Sequence, residues 1–82
     1  MYTIIMSPTV FEAKNLKFMI YFKDHNPPHV HVVGPGAEAV FDLETCECTQ
    51  NSGFSSTAIN RIAEIVREKK QAFLEAWDDY QK

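Results

Sequence analysis

The chain has 82 residues, 45% of them hydrophobic and 23% charged, with a formal net charge of -3. This size suits one small core spanning residues 1–82, and the composition excludes disorder. A mildly acidic chain exerts no general pull on phosphate backbones, so sequence-independent nucleic-acid binding is not supported.

The first segment, Tyr2 to Phe22, reads as strands: Thr3 to Met6, Thr9 to Ala13 and Leu16 to Phe22. Ser7-Pro8 interrupts it, and Lys14-Asn15 has the composition of a turn. In the third run Phe18, Ile20 and Phe22 share one face, while Lys17, Met19 and Tyr21 share the other. Met1 to Met6 is apolar but lacks the length and basic flank of a secretory leader. No apolar run approaches the roughly 20 residues of a membrane helix.

The second segment opens with Asp24-His25-Asn26-Pro27-Pro28, a loop because the prolines forbid a regular ladder. His29 to Val33, the turn Gly34-Pro35-Gly36 and Ala37 to Leu43 then read as a hairpin. Pairing across that turn sets Val33 opposite Glu38, Val32 opposite Ala39, His31 opposite Val40 and His29 opposite Asp42. Val30, Val32, Ala39, Phe41 and Leu43 form the apolar face. His29, His31, Glu38, Val40 and Asp42 form the open face. A two-residue turn at Glu44-Thr45 would pair Leu43 with Cys46 and Phe41 with Cys48, starting a short strand from Cys46 to Gln50. Both thiols then face the core, where cysteine is a small inert hydrophobe, and Glu47 and Thr49 join the polar face. Two cysteines so close on one strand make a poor disulfide, so reduced thiols and a cytoplasmic location are expected.

The third segment is a helix over 55–81, with Ser55 suited to its N-cap. Ile59, Ile62, Ala63, Val66, Phe73, Ala76, Trp77 and Tyr80 recur at helical spacing as one wide core-facing stripe. Lys69-Lys70 breaks that stripe and suggests a bend. The expected architecture is α+β: a curved antiparallel sheet of about four or five strands over 1–50, packed on the long C-terminal helix.

Chemistry concentrates on the polar face. His29 and His31 can place two imidazoles on one divalent ion such as zinc, with Glu38 or Asp42 supplying oxygen. Without a metal the same pair can deprotonate a nucleophile and protonate a leaving group, with Glu38 orienting, as cleavage of RNA through its 2′-hydroxyl requires. Only Lys14, Lys17 and Lys23 lie near enough to hold a phosphate. The structural alternative has Asp24, His25, Asn26, Pro27 and Pro28 as a hydrogen-bonded loop, and the polar face as a partner surface. Gly34-Pro35-Gly36 is no phosphate loop, because it lacks the following Lys-Ser/Thr and a helix N-terminus.

The run Asp24-His25-Asn26-Pro27-Pro28-His29-Val30-His31-Val32 resembles a widespread prokaryotic family, domain of unknown function 4160. Ser7-Pro8-Thr9-Val10, Ala37-Glu38-Ala39, Glu44-Thr45-Cys46-Glu47-Cys48 and Leu74-Glu75-Ala76-Trp77 extend the resemblance over nearly the whole chain. The resemblance implies a compact, β-rich fold ending in a helix. It also implies small gene-pair modules arranged like toxin–antitoxin operons, and so a protein partner: a small cognate protein or a second copy. It carries over no established activity, cofactor or catalytic residue. The chain departs from the family pattern in the residues before Ser7, an added edge strand or partner-binding arm, and in Cys46 and Cys48, where larger aliphatics are usual.

Overall fold

The structure is a computed structural model that describes residues 9–22 and 24–81. The expected strand Thr3 to Met6, the Ser7-Pro8 break and Lys23 lie outside the described residues. The described chain is an α+β fold with strands β1 (Thr9–Ala13), β2 (Leu16–Met19), β3 (His29–Gly34), β4 (Ala37–Asp42) and β5 (Cys48–Ser52), followed by helix α1 (Ser56–Gln81). The strands follow one another in a single curved sheet, every neighbour antiparallel, with β1 and β5 at its edges.

Alternation decides which face is buried. Phe18, Ile20, Val30, Val32, Ala39, Phe41 and Leu43 leave the sheet on one side and are buried. Ile62, Val66, Phe73 and Trp77 come from the helix at helical spacing and close the core against them. Phe73 stacks on Phe18 at 5.6 Å between ring centroids and meets Phe11 edge-on at 6.3 Å. Each of these rings buries apolar area that a chain this small needs. The β3–β4 register is the one alternation dictates, from His29 opposite Asp42 to Val33 opposite Glu38.

The helix begins where a cap is available. The Ser55 hydroxyl accepts the Ala58 amide at 3.1 Å, and the Ser55 carbonyl accepts the Ile59 amide at 2.9 Å. Asn51 clamps the link from β5 to α1, accepting the Phe54 amide at 3.1 Å and donating to the Phe54 carbonyl at 3.0 Å. The helix runs unbroken through Lys69-Lys70. Those side chains reach the sheet instead: Lys70 Nζ donates to the Glu44 carbonyl at 2.9 Å, and Lys69 Nζ lies 4.9 Å from the Phe11 ring centre.

Three local expectations differ from the structure. Strand β2 stops at Met19, opposite His31, rather than at Phe22. Continuing the register would set Phe22 against Pro28, which has no N–H to give, so Phe22 leaves the sheet and stacks on Tyr80 at 4.7 Å while half exposed. The turn after β4 is longer than two residues. The Cys46 amide bonds the Asp42 carbonyl at 2.8 Å and the Asp42 amide bonds the Glu47 carbonyl at 2.9 Å, so Leu43 has no strand partner in Cys46. Strand β5 therefore starts at Cys48, keeps Phe41 opposite Cys48, and runs through Asn51 and Ser52 past a bulge between Val40 and Phe41. Cys46 is buried and Cys48 half-buried, both as free thiols. Among the described residues no helix is long and apolar enough to cross a membrane.

Candidate metal centre

The Asp24-to-Pro28 loop folds back on the start of β3. The peptide bond between Asn26 and Pro27 is cis. Pro28 offers its carbonyl to the Leu43 amide at 2.9 Å, tying the loop to the end of β4. His29 and His31 share a strand face because they are two apart on β3, and their ring centroids lie 5.2 Å apart. Trp77 of the helix packs against the His29 ring at 5.1 Å, and Tyr21 meets the His31 ring edge-on at 4.6 Å. This aromatic wall half-buries both imidazoles, with side-chain exposures of 18% and 29%, where alternation alone had them open to water.

Both rings point at one oxygen. Asp24 Oδ2 lies 2.9 Å from His29 Nε2 and 3.5 Å from His31 Nε2. Its other oxygen, Oδ1, accepts the His25 amide at 2.8 Å, which orients the carboxylate. Burial pushes the Asp24 carboxyl upward, but the His25 amide and the two imidazoles together hold it below its ordinary value.

The hydrogen bonds of His29 define its chemistry. The Pro27 carbonyl can only accept, so at 2.8 Å it must take the proton of His29 Nδ1. Nε2 is then the nitrogen turned toward the Asp24 carboxylate, and in the singly protonated tautomer it is an acceptor. Two acceptors 2.9 Å apart need a cation between them, either a second ring proton or a metal ion. His31 Nε2 sharpens the case, because it is buried and has no hydrogen-bond partner among the described residues. A backbone carbonyl holding Nδ1 so that Nε2 is free to ligate is how metal-bound histidines are oriented.

The spacing fits an ion. Among the described residues, Asp24, His29 and His31 offer ligand atoms that all lie within 4.8 Å of one another. Ligands at the ordinary zinc bond lengths of about 2.0–2.1 Å on a tetrahedron stand about 3.3 Å apart, and the two separations from Asp24 Oδ2, 2.9 and 3.5 Å, lie on either side of that value.

The other residues singled out in the sequence sit around this cluster. Asp42 borders the same hollow as His29 and His31, while its Oδ1 accepts the Glu44 and Thr45 amides at 2.6 and 3.0 Å and so shapes the following turn. Glu38 lies further along the face, opposite Val33. His25 is exposed. Asp24 is the carboxylate that sequence reasoning placed in the motif but not among the ligands. Alternation within a hairpin says nothing about where a loop folds back. The Asp-His-Asn-Pro-Pro composition was the available signal, since the prolines force the chain to turn.

Two hollows of about 360 and 410 Å³ flank His31 and share His31, Val40 and Gln50, so they form one groove along β3 and β4. Among the described residues, none of the side chains lining either hollow is Lys or Arg.

Comparison with known proteins gives a family and no relative of known activity. A family model described as Domain of unknown function (DUF4160) matches residues 15–78, a span that includes Asp24, His29 and His31. No curated protein and no solved structure matches the chain.

Proposed function

The chain belongs to the family described as Domain of unknown function (DUF4160), and we propose that this member is a metal-dependent hydrolase whose centre is Asp24, His29 and His31. The observation that carries the reading is the meeting of His29 Nε2 and His31 Nε2 at one Asp24 oxygen, with His31 Nε2 buried and without a hydrogen-bond partner among the described residues. Two imidazoles and one carboxylate suit zinc and similar divalent ions. A structural zinc site closes all four positions with protein ligands, whereas the three found among the described residues would leave one for a water that a bound divalent ion would activate as a nucleophile near neutral pH. A ribonuclease is less well supported, because among the described residues the groove is lined by no Lys or Arg to meet a phosphate.

The protein's single tryptophan lies against His29, which makes the reading directly testable. Titrating the metal-free chain with Co²⁺ should quench Trp77 fluorescence and give a visible tetrahedral cobalt spectrum, and Zn²⁺ should reverse both. Asp24→Asn and His31→Ala should lose the response while keeping the wild-type far-UV circular dichroism. A wild type that gives neither signal leaves a proton, not a metal, between Asp24 and His29, and ends the proposal.

A second reading has some support: a protein-binding member of a toxin–antitoxin-like or phage–host conflict pair. Among the described strands β5 is an edge whose residues after Cys48 are exposed, the kind of edge that accepts a partner's strand. Growth arrest of a bacterial host by both the wild type and His29→Ala/His31→Ala would favour that reading. Arrest by the wild type alone would favour the metal centre.

A further inference from the structure

We propose that the groove beside the metal centre takes an extended peptide with a basic side chain, a substrate class that rests on the hydrolase reading above. The groove follows the strands. Asp42 borders one end, Glu38 borders the other, and His31, Val40 and Gln50 lie between. Asp42 and Glu38 are the two ends of a four-residue step along β4, about 13 Å at the rise of a strand. That length matches about four residues of extended peptide.

The charges select the occupant. Glu38 and Asp42 carry the groove's negative charge, and the Asp24 carboxylate adds to it from the cluster. Among the described residues no Lys or Arg pairs with Glu38. Asp42 is already bound to its own turn, so Glu38 is the carboxylate free to meet a ligand cation. It stands diagonally across the strand pair from His31, a separation of about 7–8 Å between backbones. A peptide lying along the strands beside His31 would therefore put a Lys or Arg side chain one or two residues away within reach of Glu38. The walls suit a peptide too: Tyr21 offers an aromatic edge, and Gln50 an amide that can both donate and accept. Among the described lining residues a polyanion meets carboxylates and no Lys or Arg.

The test uses the full chain, with and without zinc, and blocked pentapeptides Ala-Ala-X-Ala-Ala in which X is Lys, norleucine or Glu, beside a short oligouridylate. Binding is read from backbone amide shifts in two-dimensional NMR. The Lys peptide should bind best, shift amides around Glu38, Val40 and Gln50, and weaken with added salt. Glu38→Gln should weaken it about fivefold, the scale of an exposed ion pair, and Glu38→Lys should turn the preference toward the Glu peptide. Glu38 is exposed on a strand face, so neither variant threatens the core. Equal binding of the Lys and Glu peptides, an unchanged Glu38→Gln, or preferential binding of the oligouridylate at this groove would each overturn the proposal. Failure of the metal reading shows separately, as absent Trp77 quenching before any peptide is added, and leaves the Lys-over-Glu preference measurable on the metal-free chain.

Discussion

Asp24 has three tasks with two oxygens. Oδ1 holds the His25 amide, and Oδ2 faces both His29 and His31. These contacts favour the ionised carboxylate over the neutral acid and outweigh the cost of its partial burial, so its folded pKa lies below its unfolded value of 3.8. The sign follows. A depressed carboxylate contributes stability that is fully present above its unfolded pKa and is lost as pH falls through its folded one. In chelator-treated protein, urea midpoints should therefore fall as pH drops below about 4, and Asp24→Asn should flatten that part of the profile while being less stable than the wild type at neutral pH. Parallel profiles for the two proteins would show that Asp24 is not the group responsible.

At the scale of elements, the sheet depends on how its turns meet. Gly53 joins β5 to α1 at a φ of 102°, and a Cβ there would lie 2.7 Å from the Gly36 carbonyl oxygen and 3.0 Å from Ala37 Cβ. The β3–β4 turn and the strand-to-helix link therefore touch backbone to backbone, which only glycine permits. Gly36 also has a positive φ, 68°, but nothing lies within 4 Å of its missing side chain. Gly36→Ala should cost about 1 kcal/mol, the left-handed penalty alone. Gly53→Ala adds a clash with fixed backbone and should cost about 3 kcal/mol. Chemical denaturation of the two variants separates them, and equal losses would mean that the link shifts to make room. Cys46 is the non-glycine counterpart. It closes the turn after β4 at a φ of 63° with its side chain buried, so backbone strain and core burial are carried by one small residue.

For the whole molecule, the helix and sheet hold together chiefly through aromatic and branched side chains, and the metal cluster depends on that closure because Trp77 packs on His29. Phe73 sits at the centre of the interface, 2% exposed, against Phe18 and Phe11. Phe73→Ala should cost about 3–5 kcal/mol. A domain of this size has only about 5–10 kcal/mol in all, so the variant should unfold at much lower urea. A loss below about 1 kcal/mol would show that the helix repacks without that ring. Because Phe73 touches no ligand residue in these ring contacts, a milder Phe73→Leu should keep Co²⁺ quenching of Trp77 at temperatures where the chain remains folded.

What the sequence determined by itself was whatever depends on local periodicity. Alternation placed Phe18, Val30, Val32, Ala39 and Phe41 inside and set His29 against Asp42. The helical stripe and Ser55 located the helix, and the Asp24-to-Val32 motif pointed to the family. These features follow from the two-residue repeat of a strand and the 3.6-residue repeat of a helix, which no distant contact needs to supply. The tertiary structure decided the rest. It brought Asp24 back over β3, closed Trp77 and Tyr21 around the imidazoles, lengthened the turn after Asp42 and turned Phe22 out to Tyr80. Each of these is a meeting of segments remote in the chain or of a loop with no period, where position is set by which backbone groups remain to be satisfied and not by the order of side chains.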